Sequence, residues 1–384
     1  MLKKFMLKNY KNFRDCICID FENTAGYQFS KDCVADSLIS KMLIYGRNAT
    51  GKTNLGRAIM DIYTTMGFAL GSFHHGIFLN ADSEENTAYF SYTFQFGKHE
   101  LIYTYARFSV DRLQNEELRI DETLIFRCDY AAKQYKFDYL HYIGAETANI
   151  ERFLQSVDGE DETVNTQGST LPFLRWVINN VALKKDSTLI RLSEYVRSMI
   201  MYTESNNMPH QIAIRKEYFC DLLKKEERIQ DFENFLNSMG IKCKLVLKKL
   251  PDGQYELYFA HEKLVPFFDN ASSGALALAA LYHRFIPHMR DVSFIYLDEF
   301  DAFYHYEMAE NIIKYLKKQY PQCQIVMTSH NTNLMTNRLM RPDCLFILSR
   351  EGTLTALCNA TQRELREGHN LEKMYISGEF EKYE

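Results

Sequence analysis

The sequence predicts an α/β fold: a mixed sheet flanked by helices, an antiparallel β-subdomain beside it, and an inserted helical lobe. Three observations predict it. The apolar run Met42–Tyr45 passes through residues 46–53, Gly-Arg-Asn-Ala-Thr-Gly-Lys-Thr, into a helix-forming stretch, Asn54–Tyr63, which is the strand, turn and helix order of a phosphate-cradling loop. Residues 293–301, Ser-Phe-Ile-Tyr-Leu-Asp-Glu-Phe-Asp, read as an apolar buried strand ending in carboxylates. Between these segments, strand-like runs occupy 88–128 and amphipathic helical patterns occupy 148–238.

The composition bounds the fold and the partners. A chain of 384 residues with 46% hydrophobic side chains can bury a large core and is not a disordered segment. A net charge of −5 excludes a chain that is electropositive throughout and grips nucleic acid by charge alone. The basic clusters Lys244/Lys248/Lys249 and Lys224/Lys225/Arg228 read as solvated faces, with a local nucleic-acid patch as the alternative. Nine cysteines are scattered, only Cys16 and Cys18 lying close together, without the spacing of a zinc or redox motif. Free cysteines, no secretory leader and no membrane-length apolar run lead us to expect a cytoplasmic protein with no membrane partner.

In chain order, residues 1–22 alternate apolar and polar side chains and read as two strands around a turn. Residues 23–40 read as a loop feeding the strand Met42–Tyr45. Strands are expected at Ala88–Phe96, Glu100–Ser109, Leu118–Ile120 and Leu124–Cys128, and helices at Ile150–Val157, Leu171–Val181, Leu189–Tyr202 and Tyr218–Met239. The loops between those helices include Asp158-Gly-Glu-Asp-Glu and Ser205-Asn-Asn-Met-Pro. Strands resume at Ile241–Leu250 and Gln254–Ala260, around the turn Pro251-Asp-Gly. The expected divisions are 1–147, an N-terminal lobe with the glycine loop and β-subdomain; 148–240, the helical insertion; and 241–384, a C-terminal lobe.

The chemistry-bearing residues follow from this layout. Gly46 and Gly51 allow backbone conformations in which successive N–H groups curl around a phosphate. Lys52 is placed to reach the β- and γ-phosphates and Thr53 to offer a hydroxyl to Mg²⁺. Asp298, at the end of its strand, is a second ligand for that ion, and Glu299 is placed to polarise an attacking water as catalytic base. The next strand, Gln324–Thr328, ends in Ser-His-Asn, so His330 is expected to approach the terminal phosphate. Residues 269–275, Asp-Asn-Ala-Ser-Ser-Gly-Ala, form a small-residue turn before the helical run Leu276–Phe285, which suits an anion. These residues imply binding of a nucleoside triphosphate.

In this order, the motifs resemble the ABC-type, AAA-family ATPase heads of the SMC, RecF and overcoming-lysogenization-defect group, and most of all the small stand-alone ATPases of bacterial anti-phage and abortive-infection operons. Leu7-Lys-Asn-Tyr-Lys-Asn-Phe resembles the first strand of that group and Gly46–Leu55 its Walker A, which adds Asn48 and Asn54 to the expected ATP contacts. Ala271-Ser-Ser-Gly-Ala resembles the ABC signature, with Ser272 and Gly274 in the diagnostic places and Ala275 departing from the usual Thr or Gln. Leu297-Asp-Glu-Phe-Asp resembles Walker B, His305 a histidine found shortly after it, and Thr328-Ser-His-Asn-Thr the switch-histidine motif. Asp343–Leu348 resembles the last strand, and Leu371–Phe380, with Tyr375 and Gly378, the family's ending. Gln95 is a candidate for the Q-loop glutamine or an ordinary strand residue.

The resemblance implies ATP and Mg²⁺ as ligands and an ATPase that forms a homodimer or higher oligomer. Ser272 and Gly274 of a second copy would complete each ATP site. Residues 148–238 are too short and interrupted for an SMC coil. About 35 residues after the last strand leave no room for a nuclease domain, so any effector is expected to be a separate protein. The leading expectation is a sensor or regulator of such an effector in anti-phage defence, with DNA or a phage component as a further partner. The alternative is a RecF- or SMC-like ATP-dependent DNA-binding protein in repair or maintenance. A transporter subunit and a slowly hydrolysing scaffold are less favoured.

Overall fold

In the computed structural model, which describes residues 1–68, 74, 76–158, 169–203, 216–225, 228–285 and 292–384, the run Lys41–Tyr45 forms a fully buried strand, β5. An apolar stretch without alternation suits a parallel sheet covered on both faces. Its partners are Met199–Thr203 (β11), Phe294–Asp298 (β15), Gln324–Ser329 (β16) and Leu345–Leu348 (β17). These strands lie in the order β11-β15-β16-β5-β17, all parallel, and Leu354–Ala356 (β18) adds an antiparallel edge. Thr203 pairs with Asp298, and Tyr45 with both Ser329 and Ile347. The carboxyl ends are therefore level, and the loops leaving them share one rim, where ligands of parallel sheets bind.

A second sheet is antiparallel and has seven strands. Leu2–Lys8 (β1) lies between Ile17–Asp20 (β2) and Ala88–Phe96 (β6), and the sheet continues through His99–Ser109 (β7), Arg112–Ile120 (β8), Thr123–Asp129 (β9) and Gln134–Phe137 (β10). Two tyrosines fix the helix Lys52–Ile59 (α1) between the sheets. Tyr92 Oη of β6 donates to Ala58 O at 2.8 Å, and Tyr296 Oη of β15 donates to Lys52 O at 2.6 Å. The buried Gln324 side chain joins the sheets at their other end. Its amide donates to Leu2 O and its carbonyl accepts the Leu2 N–H, both at 2.7 Å.

Helices Ile150–Asp158 (α3) and Phe173–Asn180 (α4) pack aromatic side chains onto this antiparallel sheet, Phe173 meeting Phe126, Phe137 and Phe153. Thr188–Arg197 (α5) leads into β11. Lys216–Lys225 (α6) and Ile229–Ser238 (α7) cover a three-stranded sheet of Leu245–Lys249 (β12), Tyr255–Ala260 (β13) and Leu264–Pro266 (β14). The Phe232 ring joins Phe219, Phe267 and Tyr282 there, linking these elements to Phe267–Asn270 (α8) and Ser273–Phe285 (α9). The architecture is the mixed α/β P-loop fold expected from the sequence, with its antiparallel subdomain and inserted helices. Among the described residues, no helix is long and apolar enough to cross a membrane.

Several elements differ from expectation. Leu189–Tyr202 is not one helix: α5 ends at Arg197 and Met199–Thr203 enters the central sheet. Bulky Met-Ile-Met-Tyr side chains satisfy either periodicity, and pairing with β15 decides between them. Tyr218–Met239 is divided between α6 and α7, and Asn54–Tyr63 is interrupted at Met60, beyond which Asp61–Thr65 (α2) begins. Residues 23–40 hold a short 3₁₀ turn and the two-residue strands Val34–Ala35 (β3) and Leu38–Ile39 (β4). Strands β10 and β14 were not anticipated. The acidic run after Asp158 and the Ser205-to-Pro209 stretch lie outside the described residues.

Candidate functional site

The glycine loop leaves β5 at the common rim. Ala49 (φ 67°) and Gly51 (φ 104°) take left-handed backbone, and such turns aim successive N–H groups into a concavity that suits an anion. A Cβ on Gly46 would lie 2.6 Å from Thr50 Oγ1 and 3.1 Å from Leu348 O, so only glycine fits at the loop's foot. The crest residues Arg47, Asn48 and Ala49 are exposed, while Gly51 and Lys52 are buried at the start of α1. Lys52 Nζ donates to Gly46 O at 2.8 Å and Arg47 O at 3.1 Å, and stands 3.6 Å from Glu299 Oε1. Asn54 donates to the side chain of Asn12, which in turn donates to Ala49 O at 3.3 Å. The turn between β1 and β2 therefore braces the loop.

Opposite Lys52, β15 ends in Asp298. Its Oδ2 accepts the hydroxyls of Thr53 at 2.5 Å and Thr203 at 3.2 Å, and its Oδ1 accepts that of Thr328 at 2.9 Å. Burial pushes the Asp298 carboxyl above the usual range against the pull of the Thr53 and Thr328 hydrogen bonds, and the Glu299 charge pushes it the same way. The Thr53 hydroxyl and Asp298 carboxylate are hard oxygen donors of the kind Mg²⁺ takes beside phosphate oxygens. Glu299 follows in the left-handed region at φ 45°, its N–H donating to Thr328 Oγ1 at 2.8 Å. A non-glycine residue held there is strained.

Downstream of β16, His330 is exposed on the same rim. Thus Gly46, Asn48, Gly51, Lys52, Thr53, Asn54, Asp298, Glu299 and His330 all lie on or beside the loops of this rim. Ser272 and Gly274 stand at the start of α9. Ser272 caps α9, its Oγ accepting the Ala275 N–H at 3.2 Å, and Gly274 faces Phe303 O and Met308 Sδ at 3.8 and 3.9 Å from its Cβ position. Among the described residues, no hydrogen bond or ion pair joins them to residues 46–53. His305 is exposed and precedes the helix Tyr306–Gln319 (α10).

Gln95 does not reach the phosphate side. Its backbone carbonyl accepts from the Met1 amino group at 2.7 Å and its side-chain amide donates to Gly97 O. Met1 adjoins Leu2, bonded to Gln324, and β16 runs about 17 Å from Gln324 to Ser329 at the usual strand rise. Gln95 is therefore a strand residue at the opposite end of the sheets, which corrects the Q-loop candidacy.

Other residues at the site carry little signal in the sequence. Thr203 carries no signal because the run before it, Leu189–Tyr202, reads as helix. Asn12 lies in a turn remote in sequence from the loop it braces. Arg47 Nε donates to Glu384 Oε2 at 2.9 Å, which ties the loop to the segment after the helix Leu371–Ile376 (α11).

The family model described as "AAA domain, putative AbiEii toxin, Type IV TA system" matches residues 152–336. Comparison with curated proteins returns no match. Among solved structures, the SMC head bound to the C-winged helix domain of ScpA is 16% identical, with 92% of this chain and 96% of that one covered at a TM-score of 0.47. The SMC head domain from Thermotoga maritima is 14% identical, with 92% and 98% covered and a TM-score of 0.44. The Smc head with an extended coiled coil, bound to the C-terminal domain of ScpA derived from Pyrococcus furiosus, is 14% identical, with 92% and 95% covered and a TM-score of 0.47.

Proposed function

We propose that the chain is an Mg²⁺-dependent ATPase, that ATP joins two copies, and that the pair regulates a separate effector in anti-phage defence. The observation that carries the ATPase reading is the meeting of the glycine loop with the carboxylate strand: Thr53 Oγ1 lies 2.5 Å from Asp298 Oδ2 and Lys52 Nζ 3.6 Å from Glu299 Oε1. The loop N–H groups, with Asn48 and Asn54 beside them, and the Lys52 ammonium hold the phosphates. Thr53 and Asp298 would hold Mg²⁺, which neutralises charge on the β- and γ-phosphates. Glu299 accepts a proton from the attacking water, and His330 contacts the terminal phosphate. Support for a defence role comes from the motif resemblance and from the matched family's description as a putative toxin of a toxin–antitoxin system. Nine free cysteines suit a reducing cytoplasm.

Two variants test this. Lys52→Ala should abolish ATP binding in calorimetry; unchanged affinity would remove the loop from the site. Glu299→Gln should bind ATP and hydrolyse it at least about 100-fold more slowly, the usual scale for a lost general base. Turnover at the wild-type rate would assign the base elsewhere. The ATP-loaded Glu299→Gln protein is also a bait: capture of a dedicated effector protein supports regulation, whereas capture of DNA alone favours the DNA-maintenance reading.

A further inference from the structure

Asp301 lies two residues beyond Glu299 and is only 6% exposed. Its Oδ2 accepts the Ser329 hydroxyl at 2.7 Å, and Ser329 Oγ accepts the Asn331 N–H at 2.8 Å. The second bond closes a tight side-chain turn with His330 at its centre. A serine hydroxyl has one proton to donate. Because that proton goes to Asp301, the oxygen lone pairs are left facing Asn331. The carboxylate therefore sets the hydroxyl rotor, and the rotor sets the turn that carries the histidine.

A purely structural acceptor need not be a carboxylate. Asp301 Oδ1 is buried with no hydrogen-bond partner, as is the hydroxyl of Tyr45, which pairs with Ser329 across the sheet. An unpartnered buried carboxylate oxygen is a cost that calls for an explanation. Asparagine at 301 would keep one oxygen acceptor but bring N–H donors that compete for the Ser329 oxygen, so it is the acceptor-only carboxylate that fixes the direction of this bond. Burial holds the Asp301 carboxyl above its usual range, against the downward pull of the Ser329 hydroxyl and of the neighbouring His330 and Asn331 side chains. The same loop carries Glu299, so Asp301 also ties the proposed base to the proposed phosphate contact.

We propose that Asp301 is a positioning residue for ATP hydrolysis: through Ser329 it holds the His330 turn in register with Glu299. This rests on His330 contacting the terminal phosphate. The experiment is a steady-state and binding comparison of Asp301→Asn, Ser329→Ala, His330→Ala and the Asp301→Asn/His330→Ala double variant. His330→Ala should lower kcat by at least about tenfold while nucleotide affinity is kept, the pattern of a contact made only in the transition state. Asp301→Asn and Ser329→Ala should each lower kcat about tenfold with KM within about twofold, and the double variant should match His330→Ala alone, since residues acting as one unit are not additive. Ser329→Ala keeps the test open should Asp301→Asn fold poorly, as read by thermal melting. Wild-type kcat in both Asp301→Asn and Ser329→Ala, or a further full loss in the double variant, would overturn the positioning role alone. Wild-type kcat in His330→Ala would instead overturn the histidine reading on which the proposal rests.

Discussion

Gly56 shows how a single missing side chain sets the site. A Cβ there would stand 2.4 Å from the Tyr296 ring, so glycine in mid-helix is what lets that ring pack against α1 and its hydroxyl donate to Lys52 O. In Gly56→Ala, alanine gains about 1 kcal/mol of helix propensity. Displacing the ring costs about 1–3 kcal/mol of overpacking, and stranding its hydroxyl about 1–3 kcal/mol more. The expected net effect is a destabilisation of about 3 kcal/mol in urea unfolding, with weaker ATP binding because Lys52 shifts. Tyr296→Phe should cost only about 1 kcal/mol, the hydrogen bond alone. Stability unchanged in Gly56→Ala would mean that the ring has room to move. Candidates marked by their neighbours in sequence, such as Lys52, Thr53, Asp298 and Glu299, are legible there, and the fold brings them together. Gly56 and Thr203 are not, because their partners lie hundreds or tens of positions away.

At the scale of elements, patterns that one strand or helix carries by itself were readable. The buried strands Met42–Tyr45 and Phe294–Leu297 are marked by the glycine turn and the carboxylates that follow them, whereas β11, an apolar run of the same kind, has no such marker and reads as helix. A buried polar cluster behind α1 was invisible for another reason: nothing local marks it. Asp61 opens α2 and is fully buried, yet it accepts hydrogen bonds from Arg107 Nη1 at 3.0 Å, from the Tyr105 hydroxyl and from His74. The cluster fastens the nucleotide-side helices to β7. Burial alone would push the Asp61 carboxyl up, but the Arg107 charge and the His74 and Tyr105 hydrogen bonds overcome it and hold it at about 2. A carboxyl held below its unfolded value stabilises the fold above about pH 4 and loses that contribution as pH falls toward 2, on the order of 2 kcal/mol. Asp61→Asn should cost about 3–5 kcal/mol at pH 7, because it leaves the Arg107 charge buried without its partner. Urea titrations at pH 7 and pH 3 read both effects: the variant should lack this part of the acid-dependent loss. Equal stability of variant and wild type at pH 7 would show that the cluster does not hold α2 to β7.

At the scale of the whole molecule, the rim gathers one half of the proposed chemistry, and no hydrogen bond or ion pair among the described residues joins Ser272 or Gly274 to its glycine loop. Ser272 and Ser273 are exposed at the capped start of α9. The neighbouring Phe303 and Tyr306 side chains are 56% and 47% exposed, more than large aromatic groups ordinarily leave to water. Under the proposed two-fold pairing, each α9 start meets the phosphates of the other copy, an isologous contact that exists only while ATP bridges it. Ser272→Arg should separate binding from pairing. Losing the serine cap costs about 1 kcal/mol, too little to unfold α9, and the variant's glycine loop is untouched, so ATP affinity should match wild type. In the Glu299→Gln background, ATP should shift the unsubstituted protein to a dimer in analytical ultracentrifugation and leave the Ser272→Arg protein monomeric. ATP-driven dimers that persist with Ser272→Arg would show that pairing uses another surface, and that α9 does not complete a neighbour's site.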